Sequence, residues 1–174
     1  IHCGLVGSEM CIRDRNNAII FNTCAVTAEA ERQARQAIRR ARRDNPDAQI
    51  VVTGCAAQIA PDSWSSMAEV DHVIGNHDKL SQAAWMSVAE GCEAIIVSDV
   101  MAVREMATHM MDGFHAHTRG FLQIQQGCDH RCTFCIIPYG RGNNRSAGLT
   151  QVIDAAQLLV DGGSCLLYTS DAAD

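Results

Sequence analysis

Three cysteines lie close together in the second half of the chain, in the segment Gly127-Cys-Asp-His-Arg-Cys-Thr-Phe-Cys-Ile-Ile-Pro138. Cys128, Cys132 and Cys135 form a Cys-x-x-x-Cys-x-x-Cys array, with Phe134 just before the last thiol. Three thiolates on one short loop can bind three irons of a four-iron cluster and leave the fourth iron open to another ligand. The spacing therefore predicts an iron-sulfur site with an open coordination position.

Zinc binding and disulfide formation are the alternative uses of these cysteines. Structural zinc sites usually pair a Cys-x-x-Cys knuckle with a second knuckle or with two histidines, whereas this triplet stands alone. His130 lies between the cysteines. It is not expected to bind the same metal, because neighbouring side chains of a tight cluster loop point away from one another. The chain has nine cysteines and no secretory signal, which disfavours a disulfide framework. The cluster is favoured, and zinc or free buried thiols stay open as alternatives.

The composition narrows the class of protein. The chain has 174 residues, of which 47% are hydrophobic, enough to bury a core of one to one-and-a-half ordinary domains. No apolar run approaches the roughly 20 residues that a membrane-spanning helix needs, so no membrane association is expected. The net charge of -6 argues against a generally basic nucleic-acid binder, although a local basic patch can still serve. Cysteines without a secretory context indicate a reducing cytoplasm.

The two ends of the chain are related at the level of their coding DNA. The peptide Met10-Cys-Ile-Arg-Asp14 can be encoded by ATGTGTATAAGAGACA, and the reverse complement of that string encodes Cys165-Leu-Leu-Tyr-Thr169. Such an inverted repeat resembles translated sequencing-adapter DNA. Residues 1–15 and 164–174 are therefore expected to be artefactual ends and are left out of the fold prediction.

Between these ends, short apolar strands alternate with helices. Ala18-Ile-Ile-Phe21 predicts a buried strand, and Thr27 is a plausible N-cap of a helix that runs to about Asp44. Further elements are a strand over 49–53, a helix over 56–67 that breaks at Pro61, a strand over 71–74 and a helix over 79–90. This succession predicts an α/β fold, with a parallel sheet covered by helices and right-handed crossovers.

Two earlier cysteines each follow a predicted strand. Cys24 comes after the first strand and Cys55 after the second. Adjacent parallel strands would bring these loops together at the carboxyl edge of the sheet, where open α/β folds bind ligands. The two thiols could share a cluster there, or each could be a small buried residue, which is the commonest state of a free cysteine.

The second half repeats the strand-to-helix pattern on a smaller scale. Residues 92–118 look irregular and are predicted to be a linker. A strand over 120–125 leads into the cysteine triplet, and residues 150–159 have a helical apolar spacing. A strand, a ligand-bearing loop and a helix form the first unit of a (β/α) barrel with its site at the carboxyl end of the strand.

Three segments together resemble the methylthiotransferase family of radical S-adenosylmethionine enzymes. They are Asn22-Thr-Cys-Ala-Val-Thr27, Val52-Thr-Gly-Cys-Ala-Ala-Gln58 and Gly127-Cys-Asp-His-Arg-Cys-Thr-Phe-Cys-Ile-Ile-Pro-Tyr-Gly-Arg-Gly142. The resemblance implies that residues 16–91 are a partial N-terminal methylthiotransferase domain. Residues 119–163 would then begin the radical (β/α) barrel.

The resemblance also implies two [4Fe-4S] clusters. Cys128, Cys132 and Cys135 match the ligands of the cluster that binds S-adenosylmethionine, and Phe134 would pack near that cluster or the adenine unless it has a plain core role. Two of the three auxiliary cluster ligands match Cys24 and Cys55. The third auxiliary cysteine is missing, because the adapter-like segment stands where it is expected.

The implied reaction is radical sulfur insertion. In the family, an electron from a donor such as flavodoxin or ferredoxin cleaves S-adenosylmethionine at the open iron. The resulting 5'-deoxyadenosyl radical removes a hydrogen from carbon, and sulfur from the auxiliary cluster, methylated by a second S-adenosylmethionine, takes its place. The cofactors supply the difficult chemistry, and the protein supplies position.

The substrate implied by the motifs is tRNA, with C2 of threonylcarbamoyladenosine next to the anticodon as the acceptor. Alternatives are isopentenyladenosine of tRNA, an aspartate of a ribosomal protein, or a non-catalytic iron-sulfur or zinc-binding module. As an internal fragment, the chain is expected to be inactive alone. Candidate tRNA contacts are Arg35, Arg39, Arg42 and Arg43 on the first long helix and Arg141 and Arg145 after the triplet.

Overall fold

The computed structural model describes residues 11–13, 18–104 and 119–170. The strands are β1 (Cys11–Arg13), β2 (Ala18–Thr23), β3 (Gln49–Gly54), β4 (His72–Ile74), β5 (Ile95–Ile96), β6 (Arg119–Gln123), β7 (Gln125–Gln126), β8 (Arg145–Ser146) and β9 (Leu166–Ser170). The helices are α1 (Ala28–Asp44), α2 (Cys55–Ile59), α3 (Pro61–Ser65), α4 (Gln82–Ala89), α5 (Ile137–Arg141) and α6 (Leu149–Asp161). Part of the predicted linker, residues 105–118, lies outside the described residues.

Five strands form one sheet in the order β1-β2-β3-β4-β5. β1 pairs with β2 in antiparallel orientation, and the four strands from β2 to β5 are parallel to one another. α1 connects β2 to β3, α2 and α3 connect β3 to β4, and α4 lies between β4 and β5. The predicted α/β class with a parallel sheet is confirmed, since helical crossovers join the parallel strands.

Helices cover both faces of this sheet. Successive side chains of β3 point to opposite faces of the sheet, so Val51 and Val52 belong to two different hydrophobic cores. Val52 shares its core with Ile38 of α1 and Trp64 of α3, whereas Val51 packs with Val88 of α4. Because β3 is covered on both sides, its sequence is a nearly continuous apolar run rather than an alternating one.

The first long helix begins and ends where its sequence predicts. The Thr27 side-chain oxygen accepts a hydrogen bond from the Ala30 N–H at 3.1 Å, which satisfies one of the free donors of the first turn. At the other end, the Asn45 N–H donates to the Ala41 carbonyl at 2.8 Å. The predicted N-cap and the end at Asp44 are both confirmed.

The later elements differ in detail from the prediction. The helical stretch breaks at Pro61 as expected, because Pro61 begins a separate short helix, α3. This helix ends at Ser65, before the predicted end at residue 67. Residues 78–80 form a 3-10 turn, so α4 begins only at Gln82. β5 was missed, because a strand of two residues is too short to show a hydrophobic period.

The second part of the chain contains a parallel strand pair. β6 and β9 pair in parallel, from Arg119 opposite Leu166 to Gln123 opposite Ser170, and α6 precedes β9. β7 and β8 form a short antiparallel pair that brackets the segment with the cysteine triplet. The described helices include none that is long and apolar enough to cross a membrane.

Candidate functional site

Two free thiols meet at the carboxyl edge of the parallel sheet. Cys24 directly follows β2, and Cys55 is the first residue of α2, directly after β3. The ends of the two strands are in register, with Thr23 opposite Gly54. Both cysteines are half-buried and line one cavity of about 300 Å³. The structure thus brings together the two loops that the sequence pattern placed at this edge.

Gly54 makes this arrangement possible by letting α2 start at the very end of β3. Its φ is +102°, and a Cβ at this position would lie 2.2 Å from the Thr23 carbonyl oxygen. The Thr23 hydroxyl donates to the Thr53 carbonyl at 2.7 Å and accepts from the Ala57 N–H at 3.3 Å. These contacts hold Cys55 on the first turn of α2, beside the loop of Cys24.

Asn76 contacts Cys55 and was not singled out by the sequence analysis. Its side-chain amide lies 3.4 Å from Cys55 Sγ and donates to the Gly140 carbonyl at 2.7 Å. The Asn76 side-chain oxygen accepts from the Lys79 ammonium at 2.9 Å. Asn76 lies two residues after β4, a third strand ending at the same edge, and this position is the signal that would have found it.

The segment after the cysteine triplet packs directly on Cys55. Gly140 of α5 approaches so closely that a Cβ there would lie 2.9 Å from Cys55 Cβ and 3.3 Å from its sulfur. Only a residue without a side chain leaves room for this approach. The sheet edge and the chain that follows the triplet therefore form one contiguous site.

Two cations share the cavity with the two thiols. Lys79 and Arg141 line it together with Cys24 and Cys55. The remaining lining residues have uncharged side chains: Asn22, Thr23, Asn76, Leu80, Gln123 and Gln126. Burial lowers the pKa of Lys79, the electrostatic interaction with Cys55 opposes this shift, and the charge of Arg141 adds to it. The cavity therefore carries positive charge without a lining carboxylate.

The predicted cluster triplet lies on a loop next to this cavity. Cys128 and Cys135 are half-buried and Cys132 is exposed, all as free thiols. The Cys128 N–H donates to the Gly142 carbonyl at 3.1 Å, and the Cys135 N–H donates to the Cys132 carbonyl at 3.0 Å. In the described ranges, no three His, Cys, Asp or Glu side chains are grouped closely enough to hold a metal ion. As a donor set, three free thiols on one loop fit an iron-sulfur cluster.

Polar side chains brace the loop from its two ends. Arg131 donates to the Cys128 carbonyl at 2.8 Å and to the Asn143 side-chain oxygen at 2.5 Å. The Asp129 carboxylate accepts from the Asn144 N–H at 2.9 Å. These bonds connect residues between the cysteines to Asn143 and Asn144, which directly precede β8, and so hold the two ends of the loop together.

Phe134 projects into solvent next to the last cysteine. Its side chain is 91% exposed, so the plain core role left open by the sequence does not apply in this structure. An exposed aromatic ring beside a ligand loop is available to contact a bound molecule. Its role near the cluster or the adenine stays a prediction.

Two of the candidate tRNA contacts on α1, Arg35 and Arg39, contact the neighbouring helix α3 and the segment after it. The Arg35 guanidinium lies 4.2 Å from the Trp64 ring centroid and donates to the Ser63 carbonyl and hydroxyl. Arg39 lies 3.8 Å from the Glu69 carboxylate. Both side chains thus have partners within the protein, and their contact with tRNA stays a prediction.

Arg42 has a structural role that the sequence did not reveal. Its guanidinium donates to the carbonyl oxygens of Pro46, Ala48 and Glu69 and to the carboxylate of Asp71. These bonds connect the end of α1 to the segments before β3 and β4. Arg43 is exposed, and within the described residues no such set of acceptors surrounds it.

The two arginines after the triplet differ in position. Arg141 faces the cavity, as described above. Arg145 is only 8% exposed and donates to the Arg141 carbonyl at 3.0 Å and to the Val103 carbonyl at 3.5 Å. Burial lowers the pKa of Arg145. The geometry therefore places Arg141 at the site and gives Arg145 a supporting position behind it.

Comparison with known sequences identifies related proteins. A family model described as "Uncharacterized protein family UPF0004" matches residues 7–75, a range that begins within the end assigned above to adapter DNA and runs past β4. The division of the chain into artefactual ends, a partial N-terminal domain, a linker and a barrel start stays a prediction.

Several curated proteins are similar over most of this chain. "Threonylcarbamoyladenosine tRNA methylthiotransferase MtaB" of Rickettsia prowazekii is 49% identical over 145 residues, which are 83% of this chain and 34% of that protein. The protein of the same name from Bacillus subtilis is 41% identical over 146 residues, 83% of this chain and 32% of the relative. "Ribosomal protein uS12 methylthiotransferase RimO" of Myxococcus xanthus is 30% identical over 149 residues, 83% of this chain and 31% of the relative. The chain thus spans about a third of the length of these relatives.

Proposed function

Because this chain belongs to the methylthiotransferase family, we propose that it is part of an enzyme that adds a methylthio group to C2 of threonylcarbamoyladenosine in tRNA. The reaction would use radical chemistry with S-adenosylmethionine and two [4Fe-4S] clusters. An electron donor such as flavodoxin or ferredoxin would start it, and a tRNA substrate implies that it takes place in the cytoplasm.

The observation that carries the proposal is the packing of the segment that follows the cysteine triplet against Cys55. Cys24 and Cys55 line one cavity at the sheet edge, and α5, which follows the triplet after a single residue, packs against Cys55 through Gly140. Sulfur transfer to a carbon radical requires the sulfur source and the radical source to face the same substrate atom. A single binding module for zinc or iron would not need this proximity.

The chain's own residues would then divide the work as follows. Cys128, Cys132 and Cys135 would hold the cluster that binds S-adenosylmethionine, and Cys24 and Cys55 would hold the auxiliary cluster together with a third ligand. When bound, these groups would supply the deoxyadenosyl radical and the sulfur that is transferred. The described residues orient the ligands, since the Asn76 amide donates toward Cys55 Sγ and Arg131 holds the Cys128 carbonyl.

The two parts of the fold would match two domains of such an enzyme. The parallel sheet of β2 to β5 would belong to the N-terminal methylthiotransferase domain, and β6 with α6 would be the first β/α unit of the radical barrel. The packing of α6 against β6 supports this assignment, because each unit of a barrel is a strand followed by a helix that covers it.

Anaerobic reconstitution with iron and sulfide, followed by electron paramagnetic resonance, tests the proposal. We expect the chain to take up iron and to show a reduced four-iron signal that changes when S-adenosylmethionine is added. Cys132→Ser should abolish this change, because it removes one ligand of the triplet. Cys92→Ser is the matched control, since Cys92 is an exposed cysteine outside both sites.

Two results would contradict the proposal. One is a reduced signal that does not respond to S-adenosylmethionine in the unmodified chain. The other is tetrahedral zinc binding without iron uptake, which would instead indicate a structural metal module.

A further inference from the structure

The cavity beside Cys24 and Cys55 contains two positive side chains and no lining carboxylate. Lys79 and Arg141 are both half-buried, and the Lys79 ammonium donates a hydrogen bond to the uncharged side-chain oxygen of Asn76. Keeping cations in a partly buried cavity costs free energy unless an anion is bound near them. The lining is therefore complementary to an anionic group.

The proposed substrate carries such an anion near its reacting carbon. A threonylcarbamoyl group ends in the carboxylate of threonine, whereas the isopentenyl group of the alternative tRNA substrate is an uncharged hydrocarbon. On adenine, the ring nitrogen N1 lies between C2 and C6, and C6 is the carbon that carries the N6 substituent. A substituent on N6 must therefore lie within a few bonds' reach of the place where sulfur is delivered.

We propose that Lys79 and Arg141 bind the threonine carboxylate of the modified adenosine and so select this substrate. The inference rests on the proposed function, because it takes Cys24 and Cys55 as ligands of the sulfur-supplying cluster. The radical reaction itself requires neither Lys79 nor Arg141. Both residues would determine specificity and would not take part in the chemistry.

The surroundings of both residues suit this role. Asn76 anchors one proton of the Lys79 ammonium, which leaves two further donors for a ligand. Arg141 offers a planar guanidinium that can bind a carboxylate with two parallel hydrogen bonds. Arg145 donates to the Arg141 carbonyl, so the backbone that carries the guanidinium is held in place. The amides of Gln123 and Gln126 line the same cavity and can serve the uncharged carbamoyl part.

The test compares two short anticodon stem-loop RNAs that differ only at the threonine carboxylate. One RNA carries threonylcarbamoyladenosine, and the other carries its uncharged methyl ester. The dissociation constants of both are measured with the full 174-residue chain. Because phosphate contacts are the same in both RNAs, the ratio of the two constants reports the carboxylate alone.

We expect the unmodified chain to bind the free acid about tenfold more tightly than the ester, as for a charge-assisted pair. Lys79→Gln and Arg141→Gln should each bring the ratio close to one, and Arg141→Lys should restore part of the preference. Arg104→Gln is the matched control, because it removes one exposed positive charge that does not line this cavity and should leave the ratio unchanged. Arg141→Lys also keeps the test informative if a glutamine variant fails to fold.

Equal binding of the two RNAs by the unmodified chain, or no measurable binding of either, would overturn the inference. It would also be overturned if both glutamine variants kept the full ratio, since the cations would then serve the cysteine thiolates only. These results are independent of the spectroscopic test. A chain that responds to S-adenosylmethionine but ignores the carboxylate would reject this inference and leave the proposed function standing.

Discussion

At the scale of single residues, glycines set the distances in the candidate site. At Gly54 and at Gly140, another segment of the same chain lies too close to leave room for a side chain. Gly54 directly precedes Cys55, and Gly140 packs against it. At Gly54 the backbone conformation adds a second constraint, because its φ is positive. The position of the Cys55 thiol therefore depends on residues that have no functional groups of their own.

Gly54→Ala should destabilise the protein by more than about 3 kcal/mol, because the new Cβ would overlap the Thr23 backbone and also strain a positive φ. Gly91→Ala is the matched control, since Gly91 has a φ of +69° but nothing within 4 Å of the added Cβ. It should cost only about 1 kcal/mol. Urea denaturation of both variants measures the difference, and equal losses would show that crowding at Gly54 is unimportant.

At the scale of elements, α1 shows that similar residues on one helix can have different tasks. Its arginines look alike in the sequence, but Arg35 lies over Trp64, and Arg42 connects the helix end to the segments that precede β3 and β4. Arg43 is exposed. The helix therefore combines residues that hold the fold with at least one that is available to a phosphate backbone.

Arg42→Gln should lower the free energy of unfolding by about 1 to 3 kcal/mol, because several acceptors, among them the carbonyls of Ala48 and Glu69, lose their donor. Arg43→Gln, the neighbouring change of the same type, should stay within about 0.5 kcal/mol of the unmodified chain. Thermal and urea unfolding of the two variants give the comparison. If both variants were equally stable, the contacts of Arg42 would be of little consequence.

At the scale of the whole molecule, the packing of α5 on α2 joins the segment that follows the cysteine triplet to the edge of the parallel sheet. The two helices are far apart in the sequence, and Gly140 of α5 lies directly against Cys55 of α2. Asn76 adds hydrogen bonds to the same contact. Local opening of this contact would expose the Cys55 thiol, which gives a direct way to measure it.

Gly140→Ala should accelerate alkylation of Cys55 by a neutral maleimide, because the added methyl group would lie 2.9 Å from Cys55 Cβ and push α5 away. Each loss of about 1.4 kcal/mol in this packing should raise the rate about tenfold. The control is Gly148→Ala, where the nearest atom would be 3.7 Å away. Peptide mapping by mass spectrometry reads the rate at Cys55, and an unchanged rate would mean that α5 does not protect this thiol.

Much of the fold could be predicted because its signals are local. The capping threonine of α1, the apolar run of β3 and the proline between α2 and α3 act within a few residues of themselves. β5 and the 3-10 turn before α4 could not be predicted in the same way. Asp78 is held by Ser98, 20 positions further on, and such a contact leaves no trace in the local pattern.

The positions of the thiols along the chain could be read from the sequence alone: the spacing of Cys128, Cys132 and Cys135, and the placement of Cys24 and Cys55 after two strands. Thiol spacing on one loop is a local property, and parallel strands bring their carboxyl ends to one edge. Which other residues lie beside Cys24 and Cys55 follows from the three-dimensional packing. Asn76 and Lys79 come from a third strand end and the turn after it, and Arg141 comes from the second part of the chain. Their meeting depends on side-chain packing between distant segments, for which no spacing rule exists.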